Sequence, residues 1–152
     1  MIKLICVGKV KDKNLNNLIE DYYKKINHYH KLEIIEVKDE PIKDNEEYVL
    51  DTEADRVLKY INNDDYVILL DLHGQSYDSL SLAKHLDFLF IHNSKIVFVI
   101  GGSLGLGKSL LDRANERIKL SDLTFLHQMC RLLILEQIYR CFKINNNEIY
   151  HK

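Results

Sequence analysis

Apolar residues recur along this chain in two rhythms. Continuous or alternating runs at residues 2–7, 32–37, 66–71, 96–100 and 118–120 predict five strands. The runs at 66–71 and 96–100 are unbroken, the pattern of strands buried on both faces of a parallel sheet. Residues 32–37 alternate apolar with charged positions, so this strand is half exposed and belongs near a sheet edge. Between the strands, apolar residues fall at three- and four-residue steps and predict helices. Leu15, Leu18, Ile19, Tyr22, Tyr23, Ile26 and Tyr29 mark the first, and Val49, Leu50, Ala54, Val57, Leu58 and Ile61 the second. The third carries Leu82, Ala83, Leu86, Leu89 and Phe90 behind a cap at Ser79 or Ser81. A short helix from Lys108 to about Arg117 follows, then a last one from His127 to about Lys143. Strand–helix alternation with loops of this length predicts an α/β sandwich on a mostly parallel five-stranded sheet.

The last helix stands apart, because Met129, Cys130, Leu132, Leu133, Ile134, Leu135, Ile138, Tyr139 and Phe142 cover most of its circumference. A helix apolar nearly all round is buried on more than one side, and in a domain this small the second side is assigned to a partner subunit.

Strand 96–100 runs into a turn, residues 101–107, that holds four of the chain's six glycines. Glycine lets backbone amides approach a ligand closely, and ligands of open parallel sheets bind beyond the carboxyl ends of the strands. Gly102 to Ser109 also satisfies G-x-x-x-x-G-K-[ST], so a phosphate loop with Lys108 on the phosphates is a rival reading. Its late position tells against it, since the acidic strand ending at Asp71 precedes it. A second reading joins three turns after strands: Leu70 to Gly74, Gly101 to Gly105 and Leu120 to Phe125. Brought to one rim, they are rich in main-chain donors and acceptors and suit a bulky, partly neutral ligand such as an adenine nucleoside.

Composition narrows this picture. The 152 residues are 46% hydrophobic, enough for one domain, residues 1–152, with one core. Pro41, in a polar loop from Asp39 to Asn45, is the only proline, and no linker or repeat interrupts the chain. Cys6, Cys130 and Cys141 form no CxxC pair and suit buried thiols in a reducing compartment. No run approaches a membrane span and the N-terminal run is short for a signal peptide, so a soluble, cytoplasmic protein is expected. His28 and His30 point apart on a helix, and no metal is expected. Net charge is −2, but residues from Lys95 onward hold nine Lys/Arg against five Asp/Glu. A cationic face toward a phosphate backbone is thereby available.

From residue 96 the motifs become specific: Val99-Ile100-Gly101-Gly102-Ser103-Leu104-Gly105, then Leu120-Ser121-Asp122-Leu123-Thr124-Phe125-Leu126-His127-Gln128-Met129. Arg131, Glu136-Gln137-Ile138-Tyr139-Arg140 and Tyr150-His151-Lys152 complete the order. Over its full length the chain resembles the bacterial 23S ribosomal RNA methyltransferases that modify N3 of a pseudouridine, the smallest SPOUT methyltransferases. The resemblance implies a C-terminal trefoil knot within about residues 66–152, a homodimer, and large-subunit ribosomal RNA, within the assembled ribosome, as substrate. It further implies S-adenosyl-L-methionine held by Leu70, Gly101, Leu120, Ser121, Asp122, Leu123, Thr124 and Phe125. The terminal Tyr150-His151-Lys152 is implied to lie near the partner's cofactor. The chain departs from the family's pattern at Leu104, Leu126, Ile149 and Cys141. Beside it stand the phosphate-loop reading and a non-enzymatic dimeric RNA-binding protein.

Methylating a uracil-type N3 requires a proton to leave that nitrogen, so a base or an anion-stabilising donor is needed. His127, Arg131, Tyr150 and His151 are the candidates. His127 opens a helix and suits a packing role equally well. Arg131 suits an ion pair with Glu136 or a partner chain.

Overall fold

The computed structural model describes residues 1–43 and 45–152; Asp44, within the loop read around Pro41, lies outside the described residues. The elements in chain order are β1 (Ile2–Val7), α1 (Lys13–Asn27), β2 (Leu32–Val37), α2 (Glu46–Leu58) and β3 (Tyr66–Ser76). They continue with α3 (Ser79–His92), β4 (Ile96–Ile100), α4 (Lys108–Arg113), β5 (Glu116–Lys119) and α5 (His127–Asn145). All strand pairs are parallel, in the order β2-β1-β4-β3-β5. As its alternation requires, β2 is an edge strand. Central β4 registers Phe98 against Leu4 on one side and Ile68 on the other.

Strand periodicity divides the core into two layers. Ile2, Leu4, Ile68, Ile96, Phe98 and Ile100 face one side, where α1, α3 and α5 cover them. Ile5, Val7, Val67, Leu69, Val97 and Val99 face the other, covered from α2 and α4 by Ala54, Val57 and Leu110. Lys3 shares that second face and is buried, its Nζ donating to the Tyr60 carbonyl at 2.8 Å. Each fully buried Ile, Leu or Phe contributes roughly 1.5–3 kcal/mol over leaving it exposed.

Local chemistry sets the boundaries. Asp12 caps α1 by accepting from the Leu15 N–H, and Asn45 caps α2 by accepting from the Tyr48 N–H. α1 stops at Asn27, short of Tyr29, where the Asn27 side chain accepts from the Leu32 N–H at the start of β2. Asp78, rather than Ser79 or Ser81, caps α3, and Ser81 closes a reciprocal capping box with it. α4 ends at Arg113 and β5 starts at Glu116, earlier than the apolar pattern predicts. The Asn115 side chain there accepts from the Val67 N–H and ties the connection to β3.

One expectation is corrected. The 66–71 strand does not end in a turn at Leu72-His73-Gly74. β3 runs on to Ser76, and its register slips so that Leu70 and Gln75 both pair with Ile118. Gly74 makes this possible: a Cβ there would lie 2.7 Å from the backbone of Arg117 and Ile118. α5 is covered only in part within the chain, since Leu132 and Leu133 stay half-buried and Met129 exposed. It lies on the sheet between α1 and α3, and Ile134, Leu135 and Ile138 are fully buried within one chain. No helix among the described residues is long and apolar enough to cross a membrane.

Candidate functional site at the carboxyl ends of the strands

β4 ends at Ile100, and the next residues fold back on themselves. The Gly105 N–H donates to the Gly102 carbonyl at 3.1 Å, and Gly105 sits at φ +96°. Gly101 is demanded by crowding, since a Cβ there would be 2.3 Å from the Gly105 carbonyl oxygen. The turn is a closed bend packed against α2, with Gly102 against the Glu53 carboxylate and Gly107 against the Leu50 carbonyl. This is a poor phosphate cradle. Exposed Lys108 turns to Asp112 at 2.6 Å, and the helix behind it is only six residues long.

The chain leaves β5 through residues 120–126 and reaches the start of α5 beside Gly8, at the carboxyl end of β1. A Cβ on Gly8 would stand 3.7 Å from His127 Nε2 and 4.0 Å from Asp39 Cβ. The connection therefore passes from the β5 edge to β1 over the strand ends between them. Between Ser121 and Phe125, the Leu123 N–H is the one backbone donor with a partner among the described residues, the Ser121 Oγ at 3.0 Å. Asp122 pairs with Lys119, which holds its carboxyl below the usual range.

A cavity of about 580 Å³ opens beside this connection, large enough for a nucleoside-sized ligand. Of the residues predicted to hold the cofactor, Leu120, Ser121 and Phe125 line it. Leu70 is half-buried against Ile118, and Gly101 is buried in the turn; neither reaches the cavity wall, nor do Asp122, Leu123 and Thr124. The opposite wall is Tyr77 to Leu80 at the head of α3, with Leu133 and Gln137 of α5 behind it. Ser79 Oγ donates to Gln137 Oε1 at 2.8 Å and joins α3 to α5.

The four candidates for proton handling stand in three places. His127 is near Gly8 and Asp39. Arg131 is buried and bonds the Glu36 carboxylate at 2.6 Å and the Gly8 carbonyl at 3.1 Å, so its ion pair within the chain is with Glu36 rather than Glu136. Tyr150 packs edge-on against Tyr139, bonds Glu136 at 3.0 Å and lies 3.2 Å from the Tyr22 hydroxyl. Burial pushes its phenol well above its ordinary value, with the Tyr22 and Glu136 bonds adding to the rise, so it stays protonated. His151 is exposed, its Nδ1 3.1 Å from Arg140, and it lines the large cavity of its own chain.

Sequence reading missed Glu36, Asp39, Glu53, Tyr77 and Gln137. Glu36 alternates on an edge strand exactly as a solvated residue would, and nothing local links it to Arg131, 95 positions away. Tyr77 could have been found, because it precedes the Asp-x-x-Ser capping pattern directly after a strand.

Comparison with known proteins agrees with this architecture. Residues 1–151 match the family model described as "Predicted SPOUT methyltransferase". The chain is 46% identical to the ribosomal RNA large subunit methyltransferase H of Acetivibrio thermocellus, over 99% of both chains. It is 44% identical to the protein of that name from Clostridium botulinum (strain Eklund 17B / Type B), again over 99% of both. Among solved structures it superposes with a TM-score of 0.55 and 17% identity on "a probable methylase family protein" from Haemophilus influenzae Rd KW20, covering 99% of this chain and 70% of that one. The last likeness concerns the fold alone. Methyltransferases of this kind use S-adenosyl-L-methionine in general. By family match and full-length identity, the chain belongs to the SPOUT methyltransferase family.

Proposed function

We propose that this chain transfers a methyl group from S-adenosyl-L-methionine to N3 of a pseudouridine in large-subunit ribosomal RNA. It does so on the assembled ribosome, in the cytoplasm. The observation that carries the reading is its 46% identity, end to end, with a protein named ribosomal RNA large subunit methyltransferase H. The C-terminal trefoil knot belongs to the same reading.

The residues fit the cofactor. The Ser121–Phe125 backbone presents uncommitted donors and acceptors beside a cavity whose walls at Leu82, Leu120, Phe125 and Leu133 are apolar. That combination suits a purine and its ribose. Leu120, Ser121 and Phe125, which line the cavity, would hold it, and when bound it supplies an electrophilic methyl on a sulfonium. The chain's own work is to bind, orient and exclude water. Arg131, locked to Glu36 and the Gly8 carbonyl, fixes the first turns of α5 and thereby His127. Arg131 is a positioning residue. Tyr150, held protonated, docks the tail and presents His151, whose Nε2 is left to take the N3 proton or to donate to the ring's carbonyl.

The working form is a homodimer. Its interface is the apolar surface still exposed at the entry to α5, namely Leu123, Leu126 and Met129. With Tyr150 bonded to Glu136 and His151 to Arg140 of the same chain, Lys152 is the tail residue left to extend toward a partner.

The test is transfer of labelled methyl from S-adenosyl-L-methionine to ribosomes from a strain lacking the modification, with mass spectrometry locating the product. S-adenosylhomocysteine, and not Mg-ATP, should raise the melting temperature. Stabilisation by Mg-ATP that Lys108→Ala abolishes, with no methyl transfer, would sink the proposal in favour of the phosphate loop.

A further inference from the structure

The cationic face expected from Lys95 onward is largely neutralised by the fold. Of its nine Lys/Arg, seven lie within ion-pairing distance of carboxylates of the same chain. Arg113 donates to backbone carbonyls, which leaves Lys152. Unmatched charge gathers instead on the connection between β1 and α1, where Lys9, Lys11 and Lys13 are exposed. None of the three side chains has a partner among the described residues, and no other five-residue window of the chain holds three cations. We propose that these lysines grip phosphates of the RNA strand that carries the target nucleotide. This rests on the reading of the chain as a ribosomal RNA methyltransferase.

The connection is held still from below. Gly8 turns the chain at φ +89°, its N–H donates to the Val37 carbonyl at 2.8 Å, and its carbonyl accepts from Arg131 at 3.1 Å. Val10 is buried in the core, and its carbonyl accepts from the Asn16 side chain at 2.7 Å. Asp12, the one carboxylate in the segment, is occupied in capping α1 through the Leu15 N–H at 2.9 Å. With Val10 turned inward, Lys9 and Lys11 stand outward on Cα atoms no more than about 7 Å apart. That is close to the step between successive phosphates of a strand. A backbone already fixed loses little further freedom on binding.

The charges are placed against local preference. Lys13 is the first residue of α1, with no acidic residue in the first turn, so its ammonium faces the positive end of the helix dipole. At the far end of the same helix, Lys24 and Lys25 pair with Glu20 and Asp21. The helix matches its cations there and leaves them open at its head.

The surroundings favour a nucleic-acid backbone over an acidic protein. Protein interfaces are built on apolar and aromatic centres and are depleted in lysine. The first turns of α1 expose Asn14, Asn16 and Asn17, with Leu18 the one large apolar residue exposed on that helix. Amide side chains donate to phosphate and sugar oxygens. Position agrees, since Lys9 directly follows Gly8, whose Cβ would stand 3.7 Å from His127 Nε2. A strand held here passes beside the start of α5. Asp39, 4.0 Å from the same point, bounds the patch toward β2.

A variant carrying Lys9→Gln, Lys11→Gln and Lys13→Gln is compared with the wild-type chain. A control of equal net charge carries Lys31→Gln, Lys59→Gln and Lys84→Gln, at three exposed positions scattered along the chain. Melting temperature, S-adenosylhomocysteine affinity and sedimentation mass are measured for each. Binding to ribosomes that lack the modification is followed over a series of KCl concentrations at fixed magnesium, and methyl transfer gives kcat and KM.

In the test variant, melting temperature should not fall, and mass and S-adenosylhomocysteine affinity should match wild type. kcat should stay within about twofold, because these lysines touch no reacting atom. The ribosome KM should rise about 10–100-fold at about 0.15 M salt, and the slope of log affinity against log salt should become shallower by about 2–3, as for three lost phosphate contacts. The control should bind as wild type does. Equal losses in both variants overturn the proposal, because net charge alone would then act. A wild-type KM or an unchanged salt slope in the test variant also overturns it. So does a changed mass, which would assign the lysines to a contact between subunits. If the triple variant does not fold, Lys11→Gln decides alone: its slope should fall by about 0.7–0.9, and an unchanged slope overturns the proposal. A wild-type chain that binds ribosomes but methylates none removes the functional reading, while the salt slope still tests these lysines; one that does neither overturns both.

Discussion

Gly101→Ala places a methyl carbon 2.3 Å from the Gly105 carbonyl oxygen and 2.8 Å from its carbonyl carbon. Ordinary contact begins near 3.4 Å, so the turn must open by about 1 Å. The obstacle is backbone held by the Gly105-to-Gly102 hydrogen bond, not a side chain that can swing aside. Losing that bond costs about 0.5–1.5 kcal/mol, and crowding a packed site a further 1–3 kcal/mol or so. The sum is about 1.5–4.5 kcal/mol, which in a domain this size lowers Tm by roughly 3–18 °C. Gly105→Ala is the control. A Cβ there meets nothing within 4 Å, but its φ of +96° leaves a strain cost of about 1–3 kcal/mol. Thermal unfolding and calorimetry with S-adenosylhomocysteine separate the two. Gly101→Ala should lose stability and cofactor affinity together, because its strain displaces the turn. Gly105→Ala should lose mainly stability. A Gly101→Ala protein that melts and binds like wild type would refute the steric argument.

Further outcomes follow from the same geometry. Leu135→Glu buries a carboxylate inside one chain's core, so circular dichroism should find no folded protein; a folded monomer would contradict this packing. Leu126→Asp and Met129→Glu, at exposed positions, should instead leave folding intact and yield monomer by sedimentation. His151→Ala should keep fold and cofactor binding while methyl transfer falls by about 10²–10⁴, and unchanged transfer would return the proton role to His127. His30, partly buried and 2.8 Å from the Met1 ammonium, has its pKa lowered, first by burial and then by that charge. The unfolded chain therefore takes up this proton first, and stability should fall as pH drops below the ordinary value of 6.5. His30→Gln should remove that part of the slope in pH-dependent unfolding curves.

Much of this protein is written in local periodicity. β1, β2 and β4 match their apolar runs end to end, because a strand's alternation and a buried run are properties of adjacent residues. The edge position of β2 follows from its charged alternate face for the same reason. The glycine turn and the connection 120–126 are equally legible, since glycine density after a strand has few other uses. Tertiary structure decided the rest. β3 passes its predicted end because β5 pairs with it twice, and only the closeness of Arg117 and Ile118 shows why Gly74 is glycine. The apolar circumference of α5 is covered in part by α1, α3 and the sheet, and no count along one helix shows which part they take. Arg131 finds Glu36 across 95 residues, and Glu53 meets the glycine turn only once α2 lies beneath it. Periodicity reports which side of an element is buried; what it is buried against depends on chain distant in sequence, and there the site's charges are paired or left open.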